Sequence, residues 1–367
     1  MGFGICAVYT LGAFLIYWDP TRLILARLKA DSPYVFEKIH PKFKKTDPNS
    51  LITVTSQSEL KKAKRRLIHS IWGERGLPIK KLPSEISKNF LINPEKPRWR
   101  PPSSDKKSFL ALFDKIDTYK DLKNLKAIHR ITITEKKNWT AHAGVFIPEH
   151  SNNRLVIYQN GFASTYHNQW RIIGDFIKRG FTVVAHNFRW YGLNTGTYNL
   201  KTLSLPLRGF FEPVIVSINF MKQRMKFKTI DLVGLSAGAW VSAIIAAVDE
   251  RISRSYPVSG VSPMYLREGN EFPLPDVDAL ILLAANYLDI FVMGASGAGR
   301  GQTQIFNQFD RCCFRNQKNK LYENILIETT KSIGPGRFSV ILDRSHARHK
   351  ISRYAFNKIL LDIKRDD

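Results

Sequence analysis

Residues Gly234-Leu235-Ser236-Ala237-Gly238 form a G-x-S-x-G pentapeptide. A serine hydroxyl is a weak nucleophile at neutral pH. It becomes a strong one when an adjacent base takes its proton, and that base needs a third group to orient it. Glycines on either side let a strand turn sharply into a helix. The turn lifts the hydroxyl clear of the backbone and sets it near the positive end of the helix. The flanks here suit that geometry: Ile230-Asp231-Leu232-Val233 has a buried-strand pattern, and Ala239 to Val248 is a run of helix-compatible apolar residues. The non-catalytic reading of the same residues is a plain strand-to-helix turn capped by Ser236.

A base and an acid should follow the serine in the order carboxylate, then histidine. Only His346 and His349 lie downstream, both in Asp343-Arg-Ser-His-Ala-Arg-His-Lys-Ile-Ser352, between the last strand pattern and the last helix pattern. His349, next to the start of that helix, is the preferred base and His346 the alternative. Asp310 ends a strand-like run in QIFNQFDRCCF and is the best-placed acid. Asp343 is very close in sequence to the histidines, and Asp289 falls inside a helix pattern. The non-catalytic reading of Asp310 is a surface or salt-bridged carboxylate. A tetrahedral oxyanion needs two backbone N–H groups aimed at one point. Ala237, just after the serine, supplies one; Phe162, in the turn Asn160-Gly161-Phe162, is the candidate for the other.

The elements that must hold these residues are readable from about residue 130 onward. Strand-like runs at 154–162, 181–192, 252–260 and 338–343, and a strand–turn–helix run over 229–252, alternate with helical patterns at 170–180, 213–224 and 355–363. Such alternation predicts an α/β domain over 131–367, with a mostly parallel sheet and helices on both faces. Pro213 is expected in the first turn of its helix. The apolar stretch Ala279–Gly294 is interrupted by Asp289, so it reads as a core helix or as part of a lid over 261–300 rather than a membrane span. Gly294-Ala-Ser-Gly-Ala-Gly-Arg-Gly301 lacks the G-K-[ST] ending of a phosphate loop and reads as a flexible connection.

The rest of the chain is different in texture. Residues 1–18 include an uncharged run from Gly2 to Trp18. It is just long enough to cross a bilayer core and is expected to be an anchor helix, with a buried helix as the alternative. The first basic residues follow this run, which predicts a cytoplasmic C-terminal bulk. Residues 22–130 carry 26 Lys and Arg against 11 Asp and Glu, and the whole chain has a formal net charge of +25. Such a field favours anionic partners. Beside an anchor, an anionic membrane surface is the expected one. Nucleic acid is disfavoured because no recognition motif accompanies the charge. Leu60, Ala63, Leu67, Ile68 and Ile71 follow helical spacing in a basic segment, which predicts an amphipathic helix within a partly helical extension over 19–130.

The three cysteines, Cys6, Cys312 and Cys313, exclude a disulfide scaffold. Adjacent cysteines bridge only at a cost to the backbone, so Cys312 and Cys313 are expected as thiols. No C-x-x-C or H-E-x-x-H spacing is present, and no structural zinc site is expected.

The order of Asn160-Gly161-Phe162, the strand ending in Asn187-Phe-Arg-Trp-Tyr-Gly192, GLSAG, Asp310 and His349 resembles the α/β-hydrolase superfamily over about residues 130 to 366. More narrowly, GLSAGAW, NYLDI, FDRCCF and HKIS resemble a little-characterised bacterial branch of it. The resemblance implies an eight-stranded sheet and a Ser236–Asp310–His349 triad. It also implies ester-type hydrolysis through an acyl-enzyme, without cofactor or metal. Asn160 departs from the family in standing where a histidine is usual before the oxyanion glycine. The expected activity is therefore that of a serine hydrolase on carboxylic esters, including lipid or thioester acyl groups, with amide substrates open to the same triad. The rival expectation is a non-catalytic protein on a hydrolase scaffold whose basic arm binds membrane or nucleic acid.

Overall fold

The computed structural model describes residues 19–28, 35–88, 122–135, 139–162, 169–189, 194–196, 207–271 and 275–365. The expected anchor at 1–18 and the proline-rich loop around Pro94 to Ser104 lie outside them. Among the described residues, no helix is long and apolar enough to cross a membrane.

After a first helix α1 (Asp19–Leu28), the helix α2 (Gln57–Trp72) forms where the spacing predicts. Ser56 caps it by accepting from the Glu59 N–H at 3.2 Å, and the Glu59 carboxylate reaches back to the Thr55 N–H at 2.8 Å. These contacts satisfy two donors that a helix start leaves bare. Gly73 ends it at φ 62°. Leu60, Ala63, Leu67, Ile71 and Trp72 are buried, with Lys61, Lys62 and Arg65 outside.

The strands β1 (Glu85–Ser87), β2 (Leu125–Glu135), β3 (Trp139–Pro148), β4 (Arg154–Gln159), β5 (Thr182–His186), β6 (Thr195–Gly196), β7 (Thr229–Leu235), β8 (Arg254–Val258), β9 (Gly301–Asn307) and β10 (Arg337–Asp343) build one sheet. Its order is β1-β2-β3-β5-β4-β7-β8-β9-β10, with β6 paired to β3. From β5 to β10 every pairing is parallel, and β1, β2 and β3 pair antiparallel at one side. The sheet has ten strands rather than the eight the resemblance implied, because the short β1 adds an edge beyond β2 and the two-residue β6 pairs with β3 off the main path. β1 and the first half of β2 come from the basic stretch, and α2 is part of the main core. The described residues of α2, β1 and β2 thus share the core and the sheet of the residues that follow.

The helices α3 (Trp170–Ile177), α4 (Arg208–Arg224), α5 (Ala237–Val248), α6 (Pro275–Leu282), α7 (Tyr287–Ala295), α8 (Glu323–Ile333) and α9 (Arg353–Ile363) cover both faces. Two apolar layers result from the period-two alternation of the strands. On β7, Ile230 and Leu232 join the layer under α4, α5 and α7, while Val233 and Leu235 join the layer under α3 and α9. Helix α4 begins earlier than its apolar pattern suggested, so Pro213 lies inside it rather than in its first turn. All of α7 is buried. The Asp289 carboxylate at its start accepts from the N–H groups of Thr53 and Val54 at 2.8 and 3.0 Å, tying the N-terminal segment to the core. The apolar stretch is thus split between α6 and α7, and α7 lies in the core.

Candidate active site

Register decides which loops meet. Gln159 pairs with Gly234, Leu235 with Val258, Val258 with Ile305, and Asn307 with Asp343. The C-terminal ends of β4, β7, β8, β9 and β10 are therefore level. The segments that follow them (Asn160–Phe162, Ser236, Ser259–Gly260, Asp310 and His346–His349) emerge along one edge. In open parallel sheets that edge is where ligands bind.

Ser236 sits between β7 and α5 with φ 58° and ψ −127°. That conformation costs a non-glycine residue about 1–3 kcal/mol and persists only where the surroundings impose it. Here its N–H donates to the Val258 carbonyl at 2.9 Å, and its own carbonyl accepts from the Ala239 N–H at 2.8 Å. Neighbouring backbone closes in on every side. A Cβ on Gly234 would lie 2.1 Å from the Gly238 oxygen, one on Gly238 would lie 2.2 Å from the Gln159 oxygen, and one on Gly260 would lie 1.7 Å from the Ser236 oxygen. From Ile230 to Asp249, Ser236 is the one residue that is not buried. The turn has the backbone geometry that a nucleophile elbow requires.

The turn Asn160-Gly161-Phe162 lies directly on this elbow. A Cβ on Gly161 would fall 2.7 Å from the Ser236 Cβ and 3.3 Å from the Ala237 nitrogen. The Ala237 N–H belongs to the first turn of α5, where a helix has no internal acceptor for it. Asn160, in the place of the family's usual histidine, is fully buried, and its N–H donates to the His186 carbonyl at 3.1 Å. The Phe162 ring packs on Phe188 with centroids 4.6 Å apart. Burial drives the His186 imidazole down to about 3, so it is neutral beneath this turn.

Asp310 and His349 come together. The His349 Nδ1 is 2.7 Å from the Asp310 Oδ2, and the carboxylate is inaccessible to solvent. The other Asp310 oxygen accepts from the Cys312 N–H at 2.8 Å. The Asn307 side-chain amide links the two loops, donating to the Lys350 carbonyl at 2.9 Å and lying 3.5 Å from Asp310 Oδ2. With Nδ1 donating to the carboxylate, the lone pair of the ring is on Nε2. Nε2 is buried and has no hydrogen-bond partner.

His346 has a different environment. Its Nδ1 accepts from the Arg348 N–H at 3.1 Å, its Nε2 lies 3.3 Å from Asp343 Oδ2, and the side chain is buried. Asp343 also receives the N–H and hydroxyl of Ser345 and the hydroxyl of Ser352. Burial opposes ionisation of Asp343, but hydrogen bonds from His346, Ser352 and Ser345 together outweigh it and bring the carboxyl down to about 2.

Two contributors escaped the sequence reading. Gly260 looked like the end of a strand pattern, and Asn307 looked like a strand residue. A glycine two residues past β8 and an asparagine at the end of β9 were the available signals. Cys312 and Cys313, expected as free thiols, are joined by a disulfide in the tight loop after Asp310. Among the described residues, one group could hold a metal ion: the ligand atoms of Cys312, Cys313 and His349 all lie within 4.8 Å of one another.

No protein-family model matches the chain, and no curated protein matches it. Solved structures do. Acetyl xylan esterase 1 from Thermoanaerobacterium sp. superposes with a TM-score of 0.53 at 12% identity, covering 89% of this chain and 98% of that one. A methylesterase superposes with a TM-score of 0.54 at 13% identity, covering 85% of this chain and 64% of that longer one. The fold is that of the α/β-hydrolases. At such identity the likeness establishes the architecture, and the chemistry has to come from the edge just described.

Proposed function

We propose that this chain is a serine hydrolase acting on carboxylic esters, with Ser236 as nucleophile, His349 as base and Asp310 as the acid that orients it. In the proposed cycle His349 Nε2 accepts the Ser236 proton as the oxygen attacks the ester carbonyl. Ala237 and Phe162 N–H groups stabilise the oxyanion, and the returning proton leaves with the alcohol. Water then attacks the acyl-enzyme by the same route in reverse. Asp310 holds the imidazole in the tautomer that leaves Nε2 free. The observation that carries this reading is the buried Asp310–His349 hydrogen bond with an unpartnered Nε2, at the sheet edge where Ser236 is presented.

The structural neighbours are named for acetyl and methyl esters. Small ester groups are accordingly the first substrates to try, ahead of lipid and thioester acyl groups. Anchoring through residues 1–18, a cytoplasmic domain and attraction of the basic surface to anionic lipid remain part of the proposal. The test is covalent labelling by a fluorophosphonate probe. Wild type should label and Ser236→Ala should not; a folded wild type that resists the probe overturns the proposal.

A further inference from the structure

Cys312 and Cys313 belong to the loop that also positions Asp310, since the Cys312 N–H holds one of its oxygens. Cys312 is exposed and Cys313 is buried, so the pair spans the surface and the interior of the site. The two sulfurs and a ring nitrogen of His349 lie within 4.8 Å of each other. Because Nδ1 is committed to Asp310, Nε2 is the nitrogen left to ligate, and it is buried without a partner. A carboxylate holding one nitrogen of an imidazole while the other keeps its lone pair is the arrangement found behind metal-bound histidines.

We propose that the reduced Cys312–Cys313 pair and His349 form a binding site for a thiophilic divalent ion such as Zn2+. Occupation of that site silences the hydrolase. Two thiolates and one imidazole suit a tetrahedral d10 ion at about 2.0–2.3 Å, with water in the fourth position. The disulfide gates the site. A dithiol reductant exchanges with it, its two S–H bonds giving way to its own S–S bond, and its two electrons and two protons leave Cys312 and Cys313 as thiols. Zn2+ then displaces two thiol protons to water with no change in its oxidation state. The ion and the serine proton compete for one lone pair, so a bound ion removes the base. The site rests on the ligand geometry alone; its inhibitory effect rests on the proposed triad.

Two readouts keep these separate. Full-length protein is reduced with a dithiol, freed of reductant and titrated with Cd2+, whose thiolate complexes absorb in the ultraviolet. Reduced wild type should take up one equivalent with thiolate absorption, and oxidised wild type none. Cys313→Ser and, should that variant fold poorly, the exposed Cys312→Ser should lose the absorption. Asp310→Asn should weaken Cd2+ binding by about 10–100-fold, the usual effect of removing the carboxylate behind a ligating histidine. Fluorophosphonate labelling of reduced wild type should fall with Cd2+ or Zn2+ and return with a chelator. Absorption that is unchanged in both cysteine variants, or unaltered affinity in Asp310→Asn, overturns the site. Thiolate binding that leaves labelling untouched overturns the inhibition. A wild type that binds Cd2+ as described yet never labels counts against the hydrolase proposal while upholding the site.

Discussion

Two histidine–aspartate pairs stand three residues apart in one loop, and they are built for different ends. In His346–Asp343 both ring nitrogens face groups of the same loop: Nδ1 accepts from the Arg348 N–H and Nε2 stands 3.3 Å from Asp343, which also gathers Ser345 and Ser352. In His349–Asp310 the carboxylate comes from another strand end, and the outer ring nitrogen is left without a partner. The first pair uses its hydrogen-bonding capacity to shape the loop; the second leaves one lone pair available. A histidine beside a carboxylate is therefore not evidence of a base until the far side of the ring is known.

The largest effect that would sharpen this contrast is loss of the proposed machinery. Ser236→Ala and His349→Ala should each lower ester turnover by roughly 10^4–10^6-fold with the fold intact, measured by steady-state rates beside circular dichroism. If His346→Ala gives the same loss in a protein of unchanged stability, the roles of the two pairs are reversed. Next, Asp310→Asn should cost about 10^4-fold in kcat, since the amide favours the wrong tautomer of His349.

A smaller effect should separate the pairs by stability. His346→Ala should destabilise the fold by about 1–3 kcal/mol while sparing most activity, as read from chemical denaturation, because it strands buried hydrogen-bonding groups. The smallest lies in the acid range. With its folded pKa depressed to about 2, Asp343 stabilises the fold above the ordinary carboxylate value of about 4. That contribution is lost as pH falls toward 2. Asp343→Asn should flatten the stability–pH curve over that interval in thermal melts, and an unchanged slope would assign the acid sensitivity elsewhere.

Much of this was legible before any coordinates. GLSAG between a strand and a helix pattern located the elbow because its glycines are demanded by backbone contact. The order serine, aspartate, histidine pointed to Asp310 and narrowed the base to His349 or His346. The ten-strand extent of the sheet was hidden because β1 has three residues, none of them buried, and β6 only two, too few to show a strand period. Pro213 misled the reading of α4, since a proline near the start of an apolar run looks like a first-turn residue.

By itself the sequence determined the local devices: which serine stands on a turn too tight for a side chain on its flanking glycines, which strands are buried on both faces, which helix is amphipathic. Local sterics and hydrophobic period fix these, and both are written in consecutive residues. Only tertiary structure decided which of two neighbouring histidines meets Asp310 and that two cysteines share that histidine's surroundings. It also decided that Gly260 and Asn307 brace the site. Those choices depend on strand register, and register sums contacts between residues far apart in the chain that no single segment records.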